Sequence, residues 1–372
     1  MRLSIVTESF RPQLTGVAET IVRIVDSLRR LGVEVEVIAP EPGPGERVPE
    51  FPYKVHWITS KTLRPIAPVR LGMPVPAIGE AIAAFAPDVV YLASPYMMCA
   101  RAATAAKELG IPVIANFQTL PEAIAGPGKQ AFAATIWKQI ESIHRLADLN
   151  LAPTQTAADA ISARGIEGVR VWQHGIDTVQ FRPELRSERL RDALAGDRKL
   201  LVGYVGRVTP QKQIDLLAAT AELDDVAFVV VGTGSDEARI AELIPNATML
   251  GPRRGTALAR IFASLDVFVH PSGLETFGIT VREAQASGRA VVVPDEGGSA
   301  DLVAHGVDGL HAETENPAAF AEAVAALRDD TTLRERLGVA ARRTCLDYDW
   351  DALTADLVDM AEALVAARGG RP

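Results

Sequence analysis

Leu200-Leu201-Val202-Gly203-Tyr204-Val205-Gly206-Arg207-Val208-Thr209-Pro210-Gln211-Lys212 opens as six residues with no charge and closes in a loop carrying two cations. A short, wholly apolar run of this kind suits a strand covered on both faces of a parallel sheet. Four further runs follow at Val226 to Val231, Thr248 to Leu250, Val267 to His270 and Ala290 to Val293, each separated from the last by a helical stretch. Strands alternating with helices predict a doubly wound α/β sheet. Such a sheet binds ligands at the carboxyl ends of its strands, and that edge is where Arg207 and Lys212 fall.

The first half repeats the pattern. Arg2 to Val6 reads as a strand, Thr7 to Gly16 as a polar loop, and Val17 to Leu31 as a helix with apolar residues at Val17, Ile21, Ile24, Val25 and Leu28. Gly32 stops that helix, and Val33 to Ala39 alternates as a second strand. Further strands are expected at Val55 to Ile58, Val89 to Leu92 and Val113 to Asn116, with a helix from Ala100 to Leu109. The pattern weakens into turn residues and charges between Asn150 and Arg198. This places one Rossmann-like domain over 1–178 and a second over 179–350. A closing amphipathic helix over 351–372 is free to pack on either, through Leu353, Leu357, Met360 and Leu364. Pro-rich stretches at Glu41 to Pro52 and Arg64 to Pro76 read as surface loops, or as a lip facing an acceptor.

Composition narrows the classes. The chain has 372 residues, 48% hydrophobic and 23% charged, enough apolar side chain for more than one core. Its net charge of −9 is uneven: residues 1–172 hold 17 Lys/Arg and 16 Asp/Glu, and the remainder 21 and 31. No basic stripe is present to release counterions from a nucleic acid, so nucleic acid is not an expected partner. The longest uncharged run in the first hundred residues, Val89 to Ala100, is 12 residues, too short for a membrane span. With no secretory h-region after Met1-Arg2, a cytoplasmic location is expected, with at most peripheral membrane contact. Cys99 and Cys345 are far apart and read as buried thiols.

Arg207 offers a planar fork and Lys212 a compact charge, and both suit a diphosphate. Downstream, Pro271-Ser272-Gly273-Leu274-Glu275-Thr276-Phe277-Gly278-Ile279-Thr280-Val281-Arg282-Glu283-Ala284 leaves a strand and opens a helix near Ile279. Free amides at that helix start, with the helix dipole, suit a phosphate. Glu275 and Glu283 are acceptors for sugar hydroxyls, or else a capping acid and a solvated helical charge. His56, His144, His174, His270, His305 and His311 form no spaced ligand pair, so no metal is expected. Gly232-Thr233-Gly234-Ser235-Asp236-Glu237 lacks the third glycine of a dinucleotide loop, which argues against an NAD-dependent oxidoreductase.

Taken together, Gly206-Arg207…Lys212, Glu275 and Glu283, then Ala286-Ser287-Gly288…Pro294 and Gly297-Gly298, resemble the retaining glycosyltransferases of family 4, which have the GT-B fold. The likeness is strongest from about Gly203 to Leu310. Ala93-Ser94-Pro95 and Asn116-Phe117-Gln118-Thr119 resemble the bacterial GDP-mannose-dependent α-mannosyltransferases that act on lipid or glycolipid acceptors. The resemblance implies two Rossmann-like domains facing a central cleft, a nucleotide-diphosphate sugar as co-substrate and no other cofactor. Arg207 and Lys212 would bind the leaving diphosphate, and Glu275 with the Phe277 and Gly278 amides would hold hydroxyls of the hexose. Glu283 would hold the ribose. Gly206, Gly232, Gly234, Thr276 and Ile279 would shape the donor site, Arg253 would face the base through its main chain, and the loop at Gly16 would bring amides to the diphosphate. Glu8, Thr15, Ser94 and Thr119 would face the acceptor. Many relatives have a histidine where this chain has Gln118, and Leu120 stands where aspartate is common. An amide at 118 cannot serve as a general base, but it can hydrogen-bond the donor. A UDP-sugar-dependent transferase and a non-enzymatic sugar-binding protein are the competing readings.

Overall fold

The computed structural model describes residues 1–13, 15–62, 70–126 and 128–369. Fifteen strands occur among them. In the first half these are β1 (Arg2–Val6), β2 (Glu34–Pro40), β3 (Lys54–Ile58), β4 (Ser60–Thr62), β5 (Arg70–Gly72), β6 (Val89–Leu92), β7 (Val113–Asn116), β8 (Leu149–Ala152) and β9 (Val169–Val171). In the second they are β10 (Leu200–Val205), β11 (Val226–Val231), β12 (Ala247–Gly251), β13 (Val267–Val269), β14 (Ala290–Pro294) and β15 (Leu310–Ala312). The chain divides into two compact units, Met1–His174 with Trp350–Pro372, and Gly175–Asp349.

The first unit is a seven-stranded parallel sheet in the order β3-β2-β1-β6-β7-β8-β9. Along β1 the side chains alternate. Leu3 and Ile5 pack with Ile21, Val25 and Leu28 of helix Gly16–Arg30, while Val6 joins a separate core with Ile82, Met98 and Ala102. Burying both faces is what turns these strands into near-continuous apolar runs. Helix Trp350–Ala367 belongs to this unit. It packs on helix Gly16–Arg30, Trp172 Nε1 donates to the Leu353 carbonyl at 2.9 Å, and Arg170 pairs with Asp356 at 2.8 Å. The division falls between His174 and Gly175, within the stretch whose pattern had weakened.

The second unit is a six-stranded parallel sheet in the order β12-β11-β10-β13-β14-β15. Leu201 and Val205 face one core and Leu200, Val202 and Tyr204 the other. From β10 the chain builds outward to β11 and β12, then returns to place β13 on the other side of β10, with Val202 opposite Val267. That reversal makes a topological switch point between the carboxyl ends of β10 and β13.

Three expectations are corrected. Residues after Thr209 do not enter a regular helix: Pro210–Lys212 is a single 3₁₀ turn, and Gln213, at φ 50°, breaks it before a second 3₁₀ turn at Ile214–Leu217. A left-handed residue cannot continue a right-handed helix. The stretch 150–198 holds most of β8, all of β9 and helices Gln155–Ser162 and Glu188–Ala195, and β15 also went unread. Of the Pro-rich stretches, 41–52 forms no regular element. The second, Arg64 to Pro76, includes β5, which pairs antiparallel with β4, and its residues 64–69 lie outside the described residues.

Candidate active site

The carboxyl ends of β10 and β11 are stitched together by backbone hydrogen bonds. Gly206 N donates to the Val231 carbonyl and Val208 N to that of Thr233, both at 3.0 Å. Two glycines permit this approach. A Cβ at Gly232, whose φ is 143°, would lie 1.8 Å from the Gly206 carbonyl oxygen, and one at Gly234 would lie 2.0 Å from that of Val208. Arg207 leaves this junction exposed, its carbonyl held by the Tyr204 hydroxyl at 2.8 Å, and its guanidinium makes no hydrogen bond or ion pair among the described residues.

The loop leaving β13 is tied to the same region. Ser272 Oγ donates to the Gln211 carbonyl at 2.8 Å and accepts from Leu274 N at 3.1 Å. This brings Glu275 to Lys212, whose Nζ donates to Glu275 Oε1, with the two side chains only 16% and 17% exposed. Burial opposes the charged form of Glu275, but the Lys212 ammonium and the adjacent His270 outweigh it and hold its carboxyl well below the usual carboxylate range. A carboxylate kept ionised in a half-dry site is a strong acceptor for sugar hydroxyls.

Past Glu275, Thr276 and Phe277 are buried, Phe277 within the apolar core, so any contact Phe277 makes with a ligand runs through its backbone. Gly278, at φ 97°, begins helix Ile279–Ala286, and no side chain caps it. Glu283 is half-buried in the second turn of that helix. Arg253 lies exposed after β12, its side chain turned onto the neighbouring Pro252 carbonyl. The structure thus gathers Gly206, Arg207, Lys212, Gly232, Gly234, Glu275 and the start of helix Ile279–Ala286 at one sheet edge.

The candidates of the first unit occupy the carboxyl edge of its own sheet. Glu8 follows β1 but is only 1% exposed. Its Oε1 accepts from the amides of Met98 and Cys99, at 2.8 and 3.2 Å, at the start of helix Met97–Glu108. Burial nevertheless raises its pKa. Ser94 is buried and accepts from Glu8 N at 3.0 Å. As placed, both bind the protein's own backbone. Thr15 caps helix Gly16–Arg30 through Ala18 N at 3.1 Å, and a Cβ on Gly16 would meet nothing within 4 Å. Gln118 is buried after β7 beside the Tyr91 hydroxyl, which also accepts from Asn116 Nδ2 at 2.7 Å, and Thr119 is half-buried next to it.

Two groups escaped the sequence reading. Ser272 ties the loops together, and His270, weighed only as a lone histidine, lies with Nε2 3.3 Å from Glu275 Oε1. Its position directly at a strand exit was the available signal. Among the described residues no group of three or more His, Cys, Asp or Glu is placed to hold a metal ion, and no helix is long and apolar enough to cross a membrane.

The family model "Glycosyl transferases group 1" matches residues 186–344 and "Glycosyltransferase Family 4" matches residues 14–180. The chain is 39% identical to the GDP-mannose-dependent alpha-mannosyltransferase of Mycolicibacterium smegmatis, over the whole of both chains. It is 38% identical to the protein of the same name from Mycobacterium tuberculosis, over 99% of this chain and 98% of that one. Among solved structures, HepE of Anabaena in complex with UDP superposes with a TM-score of 0.79 at 19% identity, covering 98% of this chain and 100% of that one, a likeness of fold alone. The full-length identity and the two family models place this chain in glycosyltransferase family 4, and its two parallel-sheet units have the GT-B fold.

Proposed function

We propose that this chain transfers mannose from GDP-mannose, with retention of configuration, to a lipid, glycolipid or small-molecule acceptor, and that no metal ion takes part. The observation that carries the chemistry is the pair of cations at the β10 exit, one exposed and one against Glu275. The choice of donor rests on the full-length relatives named for GDP-mannose. In the proposed step the C1–oxygen bond to the diphosphate breaks and a bond from the acceptor oxygen forms on the same face of the sugar. The acceptor's proton passes to a phosphate oxygen of the departing GDP. Arg207, Lys212 and the amides at the start of helix Ile279–Ala286 stabilise the charge that grows there, so no protein nucleophile is needed. Glu275 accepts from hexose hydroxyls, Glu283 from the ribose, and the backbone near Arg253 meets the base. The acceptor is assigned to the carboxyl edge of the first sheet, and a lipid acceptor would bring the chain to the inner face of a membrane.

A panel of nucleotide sugars tests this. GDP-mannose at 100 times its dissociation constant should stabilise the fold by about 2.7 kcal/mol, and a retained anomer should be visible by NMR in the product. Stabilisation by UDP-hexoses alone would replace the donor and keep the transferase. Binding of sugars with no product from any acceptor or water would favour a sugar-binding protein.

A further inference from the structure

His270 follows β13, is 2% exposed, and stacks on Tyr204 with ring centroids 6.5 Å apart and planes 15° apart. Its Nε2 lies 3.3 Å from Glu275 Oε1, yet neither ring nitrogen makes a well-aligned hydrogen bond among the described residues. Buried polar groups are nearly always paired, so an imidazole left in this state calls for a reason. The oxygen it approaches is the one that Lys212 holds.

This inference rests on the proposed function, in which Lys212 binds the donor diphosphate. A diphosphate carries more charge than one carboxylate and competes for that ammonium. When Lys212 turns to it, Glu275 loses its countercharge in a mostly buried position, where an unpaired carboxylate is costly. We infer that His270 is a positioning residue that takes over Glu275 at this point. Its Nε2–H donates to Oε1, fixing the carboxylate so that Oε2 faces a hydroxyl of the transferred hexose. The lysine then serves the leaving group while the imidazole serves the acid, and both partners of Oε1 have a purpose.

The test compares His270→Phe, which keeps a ring against Tyr204 and removes Nε2–H, with His270→Gln, which returns an N–H at similar reach. The full-length enzyme is assayed with the nucleotide sugar that the wild type turns over. His270→Phe should lower kcat by about 10²-fold, leave the donor KM unchanged and leave stabilisation by the nucleoside diphosphate unchanged, because a misplaced contact acts on the reaction more than on binding. His270→Gln should recover most of that loss. An undiminished kcat in His270→Phe, or equal loss in both variants, overturns the role, as does a fall in nucleotide binding that matches the fall in rate. If His270→Phe does not fold, His270→Asn takes its place: its shorter amide reaches the Nδ1 position, so it should be impaired where His270→Gln is not, and equal activity overturns the role. A wild type that turns over no nucleotide sugar removes the proposed function and this inference with it. An active wild type beside a fully active His270→Phe removes this inference alone.

Discussion

Lys212 and Glu275 form an ion pair across 63 positions of sequence, whereas Arg207, five residues before the lysine, is exposed and has no side-chain partner among the described residues. The two cations therefore differ in what their removal does to the fold. Arg207→Ala should lower turnover by about 10²–10³ while shifting stability by no more than about 0.5 kcal/mol. Lys212→Ala should lower turnover comparably and also destabilise by about 3 kcal/mol, since it leaves a buried carboxylate without its countercharge. Initial rates beside urea unfolding separate the two, and a full rate in both variants would refute the proposed charge stabilisation.

Acid sensitivity should begin close to neutrality, and the first unit is its source. His144 is buried, its Nδ1 is 2.8 Å from Asn150 Oδ1, and burial lowers its pKa to about 4 against the pull of Asn150. Burial lowers that of His174 to about 4 as well. Above the ordinary value near 6.5 both states are neutral and the stabilisation is complete. As pH falls from there the unfolded chain takes up the proton first, so stability is lost progressively down to about pH 4, by up to about 3 kcal/mol per histidine. Urea midpoints at pH 7.5 and 4.5 should differ less in His144→Gln than in the wild type.

The returning C-terminal helix should be essential to the first unit. Leu357 is fully buried in the cluster that includes Leu28, Val25 and Trp172. Leu357→Ala should cost about 2–5 kcal/mol. All four tryptophans, Trp57, Trp137, Trp172 and Trp350, lie in that unit, so tryptophan fluorescence during urea unfolding reports on it selectively. An unshifted fluorescence transition would show that the helix contributes little there.

Long apolar strands were legible because burial on both faces leaves an unmistakable run, as in Leu200–Val205 and Val226–Val231. β9, Val169–Val171, is three residues long with an arginine at its centre, and β15, Leu310–Ala312, has a histidine there. Strands so short at the edge of a sheet carry too little periodicity to stand out from a loop. The turn after Thr209 misled for a related reason: Pro210 suits the start of a helix, and only the left-handed Gln213 stops it. Ser272 carried no spacing signal, since folding alone brings it to Gln211, and His270, five residues before Glu275, was marked only by its place at a strand exit.

Alternation of apolar strands with helices determined, from the sequence alone, that there are two doubly wound sheets and that Arg207, Lys212 and Glu275 follow strand ends, because burial imposes its pattern on near neighbours. The tertiary structure decided which of those groups meet. Placing β13 beside β10 put Glu275 against Lys212, and packing sent the last helix back to the first sheet. Contacts of that range depend on strand order, and strand order is settled by how whole faces pack, which no local window of residues records.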